Sequence, residues 1–117
     1  MVNQQEYVSF VVKKFQELAE KFKEKNEWYK GRKDPLINFS RGACIKYGTS
    51  GMPQMYETAK DYSRKHLAYI ETHGIVGDGI EDSLGDIAVY AVIMMYMHKV
   101  NQRQIEKAKA NVTVDGE

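Results

Sequence analysis

Residues 79–97 read GIEDSLGDIAVYAVIMMYM. From Ile87 to Met97 no strongly polar side chain interrupts three helical turns, so the segment is a helix enclosed by protein rather than one with a solvated face. It is about half the roughly 20 residues needed to cross a bilayer. Just before it stand Asp82 and Asp86. At about 100° per residue they fall within about 40° of each other, on the same stripe as Val89, Ile93 and Met97. Two carboxylates therefore share a face with the core.

Such a pair calls for a partner. Like charges four apart destabilise a helix by a few tenths of a kcal/mol, and burying either carboxylate unpaired costs several more. A divalent cation, a basic side chain or a helix N-terminus would each serve. The plainer reading is that both acids lie near the helix start, favoured by its dipole, and meet Lys or Arg from another helix. Gly85 lies between them. An interior glycine costs roughly 0.5 to 1 kcal/mol relative to alanine and signals close approach by a backbone or a ligand.

Moving outward, Asp78 and Glu81 have the spacing of a capping box, which predicts a helix from near Gly79 to about Val100. Beyond it NQRQIEKAKANVTVDGE could extend the helix weakly, but it offers only Val100, Ile105 and Ala108 as apolar contacts, so a frayed end is expected from about residue 103. Near the start, Asn3 and Glu6 form another capping box. Behind it Val8, Val11, Phe15, Leu18 and Phe22 recur at three- and four-residue steps, predicting an amphipathic helix from about Gln4 to Lys25. The segment KNEWYKGRK, residues 25–33, loses this period and reads as a basic loop around two aromatics.

Asp34-Pro35 is a restart signal, since Asp caps free N–H groups and Pro tolerates the first helical position. Leu36, Phe39, Ala43 and Tyr47 then form the stripe of a short helix that Gly48 ends. Ser50 is the expected cap of the next helix, with Pro53 in its first turn. Met52, Met55, Tyr56, Ala59, His66 and Ile70 share one face before His73-Gly74 closes it. No alternating pattern with hairpin turns and no internal repeat is present. The expected class is all-α, a four- or five-helix bundle in a single domain spanning residues 1–117.

The totals agree. A chain of 117 residues can build one core, and 43% apolar with 28% charged residues is a globular balance. A formal charge of +1 argues against bulk electrostatic binding of duplex DNA. The single cysteine, Cys44, excludes an intrachain disulfide and a multi-cysteine zinc site, and its setting reads as a small core position. The opening MVNQQEYVSF lacks the pattern of a secretion signal. A soluble protein of the cytoplasm, not one of a membrane, is expected.

Helix three carries Glu57 and Asp61 four apart, with Lys65 four further on. Facing Asp82 and Asp86 across an antiparallel pair, they would make a hard oxygen site for Mg²⁺ or Mn²⁺. On the helical wheel, however, they lie opposite the Met52, Ala59 and Ile70 stripe, which fits a solvated face. Trp28 and Tyr29, with the lysines around them and with Asn38 and Arg41 beyond, suit base stacking and phosphate neutralisation, or else a plugged helix end. The histidines, His66, His73 and His98, show no metal-ligand spacing; His66 reads as a core residue and the other two as helix-end positions. There is no Walker-type loop, dinucleotide fingerprint, GxSxG elbow or paired CxxC, so no residue is assigned as a catalytic nucleophile.

The blocks KNEWY (25–29), KDPLINFSRGA (33–43), KDYSRKHLAYI (60–70) and IEDSLGDIAVYAVI (80–93) together resemble the phage nucleotide-modification-associated domain, a small helical family related to the MazG-like all-α nucleoside triphosphate pyrophosphohydrolases. The resemblance implies a MazG-like bundle that self-associates as a dimer or tetramer in a bacterial host or phage-infected cell. It implies Mg²⁺ (or Mn²⁺) held by acids from two helices and a nucleotide bound across them. Leu84-Gly85-Asp86 matches the end of the family's ExxD helix, while Ser83 stands where its glutamate belongs and leaves Asp82 as a shifted substitute. No glutamate-rich helix matches the family's first motif; Glu57 and Asp61 are the nearest stand-ins. On this reading Asp82, Asp86, Asp61 and Glu57 hold the metal. Lys25, Arg41 and Lys65 neutralise the triphosphate and Trp28 stacks on the base, with Asn38 among the nucleotide contacts.

Two functions are therefore expected as alternatives. One is a metal-dependent nucleotide pyrophosphohydrolase or a nucleotide-binding relative. The other is a non-enzymatic phage or prophage accessory module acting through protein contacts, with the aspartates in salt bridges.

Overall fold

The Asn3 signal acts as its spacing predicts: the Glu6 N–H donates to Asn3 Oδ1 at 3.1 Å, filling one of the donors that a helix start leaves free. Helix α1 (Gln4–Glu27) follows. In the computed structural model, residues 1–27 and 34–115 are described, with side chains through residue 111; Trp28 and most of the basic loop lie outside them. The chain forms two compact units, Met1–Pro35 and Leu36–Glu117. Within the first, α1 buries no residue, and Val8, Phe15 and Phe22 of its apolar stripe are exposed.

The second unit holds α2 (Ile37–Tyr47), α3 (Met52–His73), a 3-10 turn (Gly74–Val76) and α4 (Ile80–Asp115). The described residues are thus all-α, with four helices and no strand. Helix α2 begins two residues later than the Asp34-Pro35 signal suggests. The Leu36 carbonyl accepts from both Phe39 and Ser40 N–H, so Leu36 is the N-cap. It ends at Gly48, whose φ of 76° is costly for any residue with a Cβ. Helix α3 takes Gly51 rather than Ser50 as N-cap, because the extended Gly51 carbonyl receives the first two amides; Pro53 sits in the first turn as expected.

The start of α4 is held differently from its sequence signal. The Gly79 N–H donates to the Tyr69 hydroxyl of α3 at 2.9 Å. A Cβ on Gly79 would lie 2.9 Å from that oxygen, so only glycine admits the approach without displacing the ring. Helix α4 runs to Asp115, so the tail extends it. The tail QRQIEKAKA consists almost wholly of strong helix formers, so propensity extends the helix where packing does not. Every residue from Gln102 to Asn111 is exposed.

Helices α3 and α4 run antiparallel through the 3-10 turn and make the main contact of the unit, with α2 lying on α3. The core is small: Ala43 of α2, Met55 and Ala59 of α3 and Met97 of α4, with Leu36, Phe39, Met52, Ile93 and Met94 packed around it. Cys44 is exposed, a correction to its expected core position, because Ala43 takes the inward place on α2. Gly42 lets α2 approach α3 closely: a Cβ there would stand 2.1 Å from the Tyr62 hydroxyl, which donates to the Asn38 carbonyl at 3.2 Å.

Candidate functional site

Ser83, Asp86, Tyr90, Ile93 and Met97 fall on one side of α4 at three- and four-residue steps, and this side meets α3. Ser83 and Met97 are buried, and Asp86 faces His66, its Oδ2 3.6 Å from His66 Nε2. That spacing is too long for a hydrogen bond, so the two groups interact by charge only when the imidazole is protonated. The Asp86 side chain is 42% exposed and the His66 side chain 16%. Asp82, one turn earlier, is exposed.

A layer of rings lies beside Asp86. Phe39 of α2 packs against Tyr62 of α3 at 5.8 Å between centroids and meets Tyr90 of α4 edge-on at 6.3 Å. His66 lies 6.1 Å from Tyr90. Burial raises the Tyr90 phenol above its ordinary value of 10.0, and the charge of Asp86 and the nearby Tyr62 push it the same way. The Tyr90 hydroxyl therefore keeps its proton and stays a potential donor throughout neutral pH. This layer was not singled out from the sequence, although Tyr62, His66, Tyr69 and His73 repeat at three- and four-residue steps on α3.

Asp61 has a different setting. Lys46 Nζ and Tyr47 Oη from the end of α2 both donate to its Oδ2, and Arg64 Nη1 lies 2.8 Å from its Oδ1. The Lys46 hydrogen bond, aided by Tyr47 and the two positive charges, outweighs burial and holds the Asp61 carboxyl below its usual value. The same bond raises the Lys46 ammonium. Asp61 clamps α2 to α3. Glu57 pairs with Lys60 on its own helix at 3.1 Å.

The four acids expected to hold a cation are thus not gathered at one point of the chain. Asp82 and Asp86 stand together near the start of α4. Antiparallel packing sets Glu57 beside His98, three turns further along, with Asp61 on the α2 side. Among the described residues, no three His, Cys, Asp or Glu side chains converge on one position. Of the expected nucleotide contacts, Arg41, Lys65 and Asn38 are exposed in the second unit, and the Asn38 carbonyl is taken by Tyr62. Lys25 is exposed in the last turn of α1 in the first unit.

A groove of about 620 Å³ runs between α3 and α4 at the end away from Asp86. Met52, Tyr56 and Glu57 of α3 face Met94, Met95 and His98 of α4 across it. Its wall is largely thioether and aromatic, adaptable surface for apolar groups. His98 is a groove residue here rather than a helix-end one, because α4 continues past it.

Chemically, Asp82 and Asp86 supply hard oxygen donors, whereas Asp61 is engaged by Lys46, Tyr47 and Arg64. No helix among the described residues is long and apolar enough to cross a membrane. No family model matches the chain, and no curated protein or solved structure matches it either.

Proposed function

We propose that the chain is a MazG-like nucleotide pyrophosphohydrolase or a nucleotide-binding relative, using a divalent cation held by Asp82 and Asp86. The observation that supports this reading is that neither carboxylate is paired with lysine or arginine among the described residues. Two acids on successive turns carry a charge that the fold leaves open. The ring layer of Phe39, Tyr62 and Tyr90 adjoins them, offering faces for a base, and the exposed Arg41 and Lys65 of α2 and α3 are available to phosphate.

A cation bound there would polarise a phosphate and lower the pKa of an attacking water. The protein's part is to hold donors of the right hardness on successive turns of α4. Glu57 and Asp61 enter this reading as ligands only where another copy of the chain brings them to the α4 acids. Such self-association, as a dimer or tetramer, belongs to the same proposal.

The test is a panel of nucleoside triphosphates with Mg²⁺ or Mn²⁺, read by pyrophosphate release. Cation-dependent release that disappears in Asp86→Asn is the expected result. Undiminished turnover in that variant, or no response of any nucleotide in turnover or thermal shift, refutes the assignment. A thermal shift without product reduces it to binding alone.

A second reading, a helical accessory module acting through protein contacts, is favoured by a specific observation: Val92, Met95 and Tyr96 of the apolar helix are about half exposed or more. It predicts association without nucleotide dependence.

A further inference from the structure

Four of the chain's six methionines, Met52, Met94, Met95 and Met97, line the groove between α3 and α4, and His98 lines it with them. At about 100° per residue His98 falls within about 40° of Met94 and about 60° of Met95, so it stands between the two thioethers about one turn further along. Met52 faces them from α3. Core packing accounts for part of this set. Met97 is fully buried, and Met52 and Met94 rest on the core. It does not account for Met95, 66% exposed, or for the exposed His98, which complete the wall without filling the interior.

The donor chemistry selects a ligand. Thioethers are soft, polarizable donors, and with imidazole they suit Cu(I) rather than the hard cations that carboxylates hold. Charge points to the same ion. The carboxylate lining the groove, Glu57, is engaged by Lys60 at 3.1 Å, so the donors that remain are neutral. A cation held by neutral donors against an apolar wall keeps its whole charge, and its desolvation cost rises with the square of that charge, which favours a singly charged ion. A methionine side chain turns about three bonds, so sulfurs on both helices reach a common point without movement of the backbone.

We infer that this groove is a binding site for a soft monovalent cation, Cu(I) or its analogue Ag⁺, taken by the thioethers of Met52, Met94 and Met95 and the imidazole of His98, with the buried Met97 behind them. The ion is held and undergoes no change of oxidation state. None of these five residues belongs to the nucleotide reading, and the site needs neither nucleotide nor Mg²⁺, so the two readings are refuted separately.

Titration of the full chain with Ag⁺ in chloride-free buffer, read from the methyl resonances of labelled methionine, tests it. Cys44→Ser serves as the background, because an exposed thiol competes for the ion. An equimolar amount of Ag⁺ is expected to shift the signals of Met52, Met94 and Met95 and to leave that of Met1, which is outside the groove, in place. Met94→Leu and His98→Leu each weaken binding by about tenfold or more, since even a group behind a metal ligand is worth that much. Leucine keeps the groove apolar, so helical circular dichroism is unchanged in both variants. Competition for Cu(I) against a chromophoric chelator under reducing conditions ranks the variants in the same order. Excess Mg²⁺ does not reverse the Ag⁺ shifts, because a hard cation is a poor competitor for thioethers. The proposal is overturned by the absence of any shift at equimolar Ag⁺, or by undiminished affinity in both leucine variants. A Met1 signal that moves as far as those of the groove overturns it equally, since it shows isolated thioethers binding without a built site.

Discussion

Met97 is the largest side chain that the second unit buries completely, and Met95, two residues earlier, is 66% exposed. Truncating each to alanine separates what the fold needs from what the outer surface needs. For Met97→Ala, the loss of a fully buried methionine side chain corresponds to about 2 kcal/mol of transfer free energy. A cavity term of about 24 cal/mol per Å³ adds roughly 1 kcal/mol for about 40 Å³ that the neighbours do not refill. Met97 also borders the groove between α3 and α4, so water can enter part of the space, and the total stays near 3 kcal/mol rather than at the top of the usual range. Urea unfolding followed by circular dichroism should show the midpoint falling with little change in slope. Met95→Ala should cost under about 0.5 kcal/mol in dilute solution, as an exposed site does. Equal losses for the two variants would refute the assignment of Met97 to the core and Met95 to the surface.

Other outcomes follow from single contacts. Tyr69→Phe removes the acceptor of the Gly79 N–H and should cost about 1 kcal/mol, with faster amide exchange at the start of α4. The Asp61 carboxyl is depressed and the Lys46 ammonium raised by the same bond, so the signs differ at the two ends of the pH scale. The Asp61 contribution is present above the ordinary value of 3.8 and lost as pH falls through its lowered value; the Lys46 contribution is present below 10.5 and lost as pH rises through its raised value. Asp61→Asn should flatten the acid side of a pH-stability curve, and an unchanged curve would remove the clamp between α2 and α3. The raised Tyr90 phenol should ionise later than the exposed tyrosines in an ultraviolet titration, and the stability it contributes should decline as pH rises above 10.0. Asp86→Asn should bring that titration part of the way back, since burial, the larger cause, remains. The same variant should abolish cation-dependent pyrophosphate release.

The course of the helices was legible in the sequence because local signals govern it. Asn3 caps α1, Gly48 stops α2, Pro53 marks the first turn of α3 and Gly74 closes it, each through backbone geometry that depends on a few neighbouring residues. The length of α4 beyond Asn101 follows from propensity, since lysine, glutamine and alanine sustain a helix without burial. The candidate site was legible only as a pair. Spacing placed Asp82 and Asp86 on one side of α4, but their relation to Glu57 and Asp61 depends on the register between two helices, which no local pattern specifies.

The sequence by itself determined that the chain is helical, where its turns begin and that α4 is apolar on more than one side, because hydrogen bonding and side-chain period act over a few residues. Tertiary packing alone sets Tyr69 at the start of α4 and commits Asp61 to Lys46 while Asp86 lies beside His66. Those outcomes rest on which residues distant in the chain meet when α3 and α4 align antiparallel, and each depends on the others through the single register that packs Ala59 and Met97 together.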